Sequence, residues 1–274
     1  MNSTRDLLRW AEGELHSTSV DPALDALILL SEATGLSRTH VLFRGTLDSE
    51  ETELFRSWIE RRQAHEPIQY ITSRAYFRNL TLEVGPGVLI PRPESEELVS
   101  ATKRAIAHLK QPKVLDLGAG SGALSIAIAT EVQGAQVIAL EKDLAAVEWL
   151  DRNIKSSGVD VSVIVDDVRN FDGESQFDAV VANPPYIPDG EVLPSEVIDF
   201  EPRSALFGGE NGMVIPKEFI ASAIRSLKSG GYLAIEHHES QGAEISSQMV
   251  GSFSDVTLHY DLNDRPRWSS GVRK

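Results

Sequence analysis

The chain has 274 residues, 41% of them hydrophobic, and no cysteine: enough apolar material for a sizeable core, with disulfides, thiolate zinc sites and cysteine nucleophiles excluded. A formal net charge of -15 repels polyanions, so tight nonspecific binding to DNA or RNA would need a strong local basic patch. The start, Met1 to Trp10, has no apolar run behind a basic stretch, and the aliphatic cluster Leu27 to Leu30 is too short to span a bilayer, so a cytoplasmic protein without membrane association is expected.

Leu7, Leu8, Ala11 and Leu15 recur at helical spacing, and Asp21-Pro22 supplies an N-cap and a first-turn proline before Leu24, Leu27 and Ile28. Asp48 with Glu51 forms a capping-box pair ahead of the stripe Leu54, Phe55, Trp58 and Ile59, which ends near Arg62. A small helical domain over residues 1–75 is therefore expected. Arg61, Arg62, Arg74 and Arg78 are the best candidate for a basic patch, and a solvated helix end and loop is the plainer reading of them.

From Tyr76 to Ile90 the period changes to two, with Phe77, Leu80, Leu82 and Val84 before Gly85-Pro86-Gly87, which predicts a β-hairpin linker over residues 76–92. A helix over Glu94 to Leu109 follows. Strands and helices then alternate through residues 93–274, the mark of a parallel sheet covered on both faces. The strands are predicted at Val114 to Leu117, Gln136 to Leu140, Val161 to Val165, Asp178 to Ala182 and Tyr232 to Glu236. A last pair, near Val256 to Tyr260 and after Arg267, is expected to close the sheet antiparallel.

Gly118-Ala119-Gly120-Ser121-Gly122 joins the first of these strands to a helix over Leu124 to Thr130, in the order used by nucleotide-like ligands, whose close approach a side chain would block. The loop does not identify the ligand: Gly118, Gly120 and Ala123 also satisfy the relaxed dinucleotide fingerprint. Glu141, at the next strand end, is placed to accept hydrogen bonds from a ribose diol. Asp167 and Val168 end the third strand, where they either flank an adenine ring or are ordinary turn residues.

The strand Asp178 to Ala182 delivers Asn183-Pro184-Pro185-Tyr186 to the same edge as the glycine loop. The two prolines fix the backbone, so the Asn183 side-chain oxygen and the Pro184 carbonyl are held as paired acceptors suited to a substrate NH2 group. A nitrogen conjugated to a carbonyl or an aromatic ring is a poor nucleophile, and methyl transfer from a sulfonium needs its lone pair aimed at the methyl carbon. Two acceptors gripping its N–H bonds orient that lone pair and stabilise the charge that develops, while Tyr186 is placed to stack on the planar group. Hydride transfer needs no such pair, so the dehydrogenase reading of the glycine loop falls away.

With these motifs the chain resembles the release-factor glutamine N5-methyltransferases (HemK/PrmC family). The resemblance also rests on Arg62 with Pro67-Ile68-Gln69-Tyr70 and Phe77, on Val88-Leu89-Ile90-Pro91-Arg92-Pro93-Glu94-Ser95-Glu96, and on Phe200-Glu201-Pro202-Arg203-Ser204-Ala205-Leu206 with Gly208, Gly209 and Gly212. It implies a Rossmann-like, seven-stranded, mostly parallel methyltransferase sheet behind an N-terminal substrate-recognition domain. It further implies S-adenosylmethionine as cofactor and the glutamine of a Gly-Gly-Gln loop in peptide chain release factors as substrate. By resemblance Gly118, Ala119, Gly120, Ser121, Gly122, Glu141, Asp167, Val168 and Asn183 contact the cofactor, and Asn183, Pro184, Pro185 and Tyr186 contact the glutamine.

The chain departs from the family pattern in places. Glu141 stands where aspartate is more usual and Val168 where some relatives carry tryptophan. Glu236-His237-His238 replaces Glu-Ile-Gly, and the tail Asp261 to Arg267 lacks a usual glycine. His237 and His238 have no third ligand at metal spacing, so no metal is expected. An adenine N6-methyltransferase poses the same lone-pair problem, but the charge balance and the lack of a basic recognition module argue against it. A non-catalytic cofactor-binding scaffold is opposed by the intact Asn183 and Tyr186.

Overall fold

A computed structural model describes residues 3–261 and 263–274; Met1, Asn2 and Leu262 of the tail noted above lie outside it. The first five helices are α1 (Thr4–Leu15), α2 (Pro22–Thr34), α3 (Arg38–Phe43), α4 (Ser49–Gln63) and α5 (Ile68–Thr72). The paired strands β1 (Arg74–Phe77) and β2 (Leu80–Glu83) follow, then α6 (Glu96–Ala105), β3 (Lys113–Leu117), α7 (Ala123–Glu131), β4 (Gln136–Glu141), α8 (Leu144–Ser157), β5 (Val161–Val165) and β6 (Phe177–Ala182). The last third holds the short helices α9 (Ser195–Ile198) and α10 (Arg203–Leu206), then α11 (Val214–Ser226), β7 (Leu227–Glu236), α12 (Gly242–Val250), β8 (Phe253–Tyr260) and β9 (Pro266–Arg273).

Two compact units form. One joins residues 1–74 with Leu193–Phe200, so that α9 groups with the N-terminal helices; the other holds Ala75–Val192 and Glu201–Lys274. In the helical unit α1 to α4 start with side-chain caps: at α2, Leu24 N–H donates to Asp21 Oδ1 at 3.1 Å. The Asp48 and Glu51 side chains each accept from the other's backbone N–H at α4. Caps of this kind contribute about 1 kcal/mol each. Leu7, Ala11, Leu15, Leu29, Leu30, Phe55 and Ile59 then face one another as its core.

All four arginines of the candidate basic patch are paired with carboxylates. Arg61 bonds Glu66, Arg62 bonds Asp25 and Glu196, Arg74 bonds Glu32, and Arg78 bonds Glu131. Arg62 is buried, so its two acids compensate a charge that the interior would not otherwise tolerate.

In the larger unit the strand order is β5-β4-β3-β6-β7-β9-β8. The first five strands pair in parallel and the last two return antiparallel. Alternate residues of β3 serve opposite faces: Val114 joins the apolar layer containing Ile126 and Leu150, and Leu115 the one containing Phe219 and Ile245. Three segments differ from the sequence expectation. α6 ends at Ala105 because the chain turns there and sends Ile106 into the core. The β1–β2 turn is at Arg78-Asn79, with Arg78 at φ 53°, and the Gly85-Pro86-Gly87 turn falls after the paired strands. β7 begins at Leu227, ahead of Tyr232, because Lys228 to Gly231 bulge out between two stretches that both pair with β6.

One buried amide ties the hairpin to the glycine loop. Asn153 of α8 has no exposure; its Oδ1 accepts from Glu83 N–H at 2.7 Å, and its Nδ2 donates to Glu83 O at 3.0 Å and Ser121 O at 2.9 Å. Asn153→Ala strands three backbone groups and is expected to lower stability by about 3 kcal/mol. Urea denaturation checks this, and a change below about 0.5 kcal/mol would refute the role given to the amide.

Candidate active site

The carboxyl edge of the sheet opens into a cavity of about 280 Å³, lined from the larger unit alone. Gly118 and Ala119 both donate their N–H to Leu140 O, at 2.8 and 3.0 Å, which folds the glycine loop back over the end of β4. Gly120 sits at φ +55°, and a Cβ there would point into open space with Val88 the nearest neighbour at 4.0 Å. Glu141 closes the arrangement. Its Oε2 accepts from Gly120 N–H at 2.9 Å, and its Oε1 from Lys142 and Asp143 N–H at 2.8 and 2.9 Å. The carboxylate is thus aimed by backbone donors, with acceptor capacity left on Oε2.

Gly118, Ala119, Gly120, Ser121, Glu141, Asp167, Val168, Asn183 and Pro185 line this cavity. Gly122, Pro184 and Tyr186 do not. Gly122 starts α7 at φ +85°, where a Cβ would strike Leu150. Asp167 is held from both sides by Arg169, whose Nε and Nη2 donate at 2.9 and 2.7 Å, and this pairing keeps its carboxyl well below the usual carboxylate range. Val168, almost buried, presents an apolar wall beside it.

Residues 183–187 leave β6 in a cradle made by residues 201–212. Ile187 N–H donates to Leu206 O and Gly208 N–H to Ile187 O, each at 2.9 Å. Gly208 has to be glycine, since a Cβ would come within 2.6 Å of the Pro185 carbonyl oxygen. Gln241 Nε2 donates to Tyr186 O at 2.8 Å and to Asn211 O at 3.0 Å, closing the far side. The segment from Ile90 to Pro93 is fixed by buried Glu201, which accepts from Ile90 N–H at 3.0 Å and from Arg92 Nη2 at 2.6 Å. Among the described residues no donor is seen on Asn183 Oδ1 or on the Pro184 carbonyl oxygen; Asn183 stands at the cavity wall, and Pro184 is buried behind it.

The sequence reading assigned no role to two residues behind Asn183. Asn183 Nδ2 donates to Ser95 Oγ at 3.1 Å, Ser95 Oγ donates to Glu236 Oε2 at 2.5 Å, and Tyr186 Oη donates to Glu236 Oε1 at 3.0 Å. Glu236 ends β7 one step beyond the Ala182–Ile235 pair, which carries it to the same edge as Asn183. Burial pushes its carboxyl above the usual carboxylate range, against the pull of the Ser95 and Tyr186 donors. An acid closing an apolar strand, with a hydroxyl residue after Pro91-Arg92-Pro93, was the signal available in the sequence. His237, beside it, is buried and its Nε2 lies 3.0 Å from Ser269 Oγ.

Residues 6–72 match the family described as the PrmC N-terminal domain, and residues 95–199 match the methyltransferase small domain. Over its full length the chain is 37% identical to the release factor glutamine methyltransferase of Mycolicibacterium smegmatis, covering 99% of that protein. It is 38% identical to the enzyme of that name from Streptomyces coelicolor over 91% of its own length and 90% of the relative, and 34% identical to that of Escherichia coli over 96% of both. Among solved structures, a 16S rRNA N2 methyltransferase of T. thermophilus in complex with AdoMet and guanosine gives a TM-score of 0.53 at 23% identity, covering 73% of this chain and 50% of that one. A methyltransferase from Pyrococcus furiosus gives 0.52 at 18% identity, covering 79% and 96%. At these identities the two structures speak for the fold.

Asp116 is the last but one residue of buried strand β3 and bonds the first turn of α7. Its Oδ2 accepts from Ser125 N–H at 3.0 Å, while Oδ1 has no partner. Burial raises the carboxyl from 3.8 to about 7, opposed by the Ser125 donor and assisted by the charge of Glu141. Between those values the folded protein holds a proton that the unfolded chain has released, so stability falls as pH rises through the window and levels off above it. From pH 6 to pH 8 this amounts to about 1.4 kcal/mol. Asp116→Asn keeps an acceptor for Ser125, so it should flatten this part of the profile and raise stability at pH 8. Parallel denaturation series at the two pH values check it, and equal slopes for both proteins would reject the assignment.

Proposed function

The chain belongs to the family of release factor glutamine methyltransferases, and on that premise we propose how its own residues carry out the reaction. The activity is S-adenosylmethionine-dependent methylation of a glutamine in peptide chain release factors. The acceptor atom we assign is the glutamine N5 of a Gly-Gly-Gln loop.

The cavity fits the cofactor by the chemistry of its walls. Glu141 offers an aimed acceptor to a ribose hydroxyl, Gly120 leaves the space that a side chain would fill, and Val168 offers an apolar face for the adenine, with Asp167 beside it. Gly118, Ala119, Ser121 and Asn183 complete the contact set, and Gly122 acts by shaping the loop. When bound, the cofactor supplies an electrophilic methyl carbon on a sulfonium. The protein's part is to make an amide nitrogen a nucleophile. Asn183 Oδ1 and the Pro184 carbonyl each take one N–H of the substrate NH2, which fixes the plane of the amide and stabilises positive charge on the nitrogen. Pro185 walls the cavity and excludes water, and Tyr186 stacks against the amide plane. The observation that carries this reading is Asn183 at the cavity wall, its Nδ2 tied back to Ser95 Oγ and its Oδ1 without an internal donor.

The helical unit of residues 1–75 we assign to holding the release factor, followed by a linker over 76–92 and the catalytic domain over 93–274. Exposed Leu42 and Phe43 on α3 support this, since such a pair suits a protein partner. We read the chain as binding no nucleic acid stably, supported by its net charge and the pairing of the four arginines. We place it in the cytoplasm with no membrane role; no described helix is long and apolar enough to cross a membrane.

One enzyme preparation with labelled cofactor is to be offered a purified release factor, the same factor with its loop Gln changed to Asn, and adenine-containing DNA. Label mapped by mass spectrometry to the loop glutamine is the expected result; label in DNA, or equal label in both factors, rejects the reading. Asn183→Ala should lower kcat by about a hundredfold or more, the scale of a lost preorganised partner of the transition state. Gly120→Leu should abolish calorimetric binding of S-adenosylmethionine, and retention of wild-type affinity would contradict the cavity assignment. Phe43→Asp should raise KM for the intact factor and leave cofactor affinity alone.

A further inference from the structure

Asn183 can present either end of its carboxamide to a substrate, and only the oxygen end accepts a hydrogen bond from an NH2 group. The choice is made behind it. Ser95 has one hydroxyl proton, and that proton points at Glu236 Oε2, 2.5 Å away. The Ser95 oxygen then has only lone pairs to offer, so the Asn183 atom 3.1 Å from it has to be the donor Nδ2. Oδ1 is thereby turned to the ligand side. Tyr186 Oη donates to the other carboxylate oxygen at 3.0 Å, so Glu236 receives a donor at each end.

From this chain of donors we propose that Ser95 and Glu236 are positioning residues for methyl transfer. The Glu236 carboxylate sets the direction of the relay from Asn183 through Ser95, and so keeps an acceptor facing the substrate nitrogen. The inference deepens the function proposed above and rests on it. Glu236 is 2% exposed, and a carboxyl at a strand end among apolar side chains is costly to bury. What it supplies in return is direction, because a carboxylate accepts and never donates. A group there that donates to Ser95 would allow Ser95 to donate onward to Asn183 Oδ1. Nδ2 would then face the substrate, and two donors would oppose each other. Tyr186 hangs from the same carboxylate, so one acid fixes both the amide and the ring that follows it.

The test uses full-length enzyme carrying Ser95→Ala, Ser95→Thr or the nearly isosteric Glu236→Gln. Ser95→Ala and Glu236→Gln should lower kcat on the release factor by about tenfold or more, with KM for the factor and calorimetric affinity for S-adenosylmethionine within about threefold of wild type. Ser95→Thr keeps the hydroxyl and should restore kcat to within about threefold. A second readout needs no turnover. The side-chain amide signals of Asn183, in asparagine-labelled enzyme and assigned by their loss in Asn183→Ala, should move in Ser95→Ala and Glu236→Gln and stay in place in Ser95→Thr. Wild-type kcat in both disruptive variants, equal loss in Ser95→Thr, or unmoved amide signals would each overturn the proposal. A wild-type enzyme that methylates no release factor, yet shows these amide shifts, would reject the proposed function and leave the relay standing.

Discussion

Backbone groups at the carboxyl ends of parallel strands lose their neighbours abruptly, and the cavity is the way this chain satisfies them. Leu140 O, at the end of β4, takes two donors from the glycine loop. Glu141, the last residue of that strand, takes a third from Gly120 and two more from the turn that follows it. The glycine loop is therefore fastened to the next strand before any ligand arrives. The constraint spreads outward from there: the loop needs positive φ at Gly118 and Gly120, its far end needs Asn153, and Asn153 needs the hairpin strand β2 beside α8.

Four buried acids organise the site, each with a different source of donors. Glu141 is served by backbone N–H groups, Glu201 by a backbone N–H and an arginine, Glu236 by two hydroxyls, and Asp116 by a single backbone N–H. Burial raises the carboxyls of both Asp116 and Glu236 against the pull of their donors, and that of Asp116 reaches about 7. An acid-rich chain here uses some of its acids as internal anchors: Glu141, Glu201 and Glu236 fasten segments that line the cavity, and Asp116 fastens the first turn of α7.

Much of this was legible in the sequence because it is local. Short apolar runs alternating with helical stretches marked the sheet strands, and Asp21-Pro22 and the Asp48–Glu51 pair marked helix starts that the structure caps as expected. The order of strand, glycine loop and helix put Gly118 to Gly122 and Glu141 at one edge. Contacts between distant segments were not legible. Ser95 and Glu236 stand 141 positions apart, and no periodicity links a serine after a proline pair to a glutamate closing a strand. The bulge at Lys228 to Gly231 was hidden for a related reason: two glycines and two polar residues read as a loop, and only the neighbouring strand holds them within β7.

Arg62 offers a consequence for how the molecule is made. Its two acids arrive at very different times, Asp25 before it in the chain and Glu196 134 positions after it. At roughly 5–20 residues per second of synthesis, the interval before Glu196 emerges is about 7 to 27 s. Until then Asp25 is the one carboxylate of this pair of partners that the chain can offer Arg62. The helical unit is thus not finished when residues 3–74 have left the ribosome; its last piece is delivered only after β6 and the Asn183 that follows it have been synthesised.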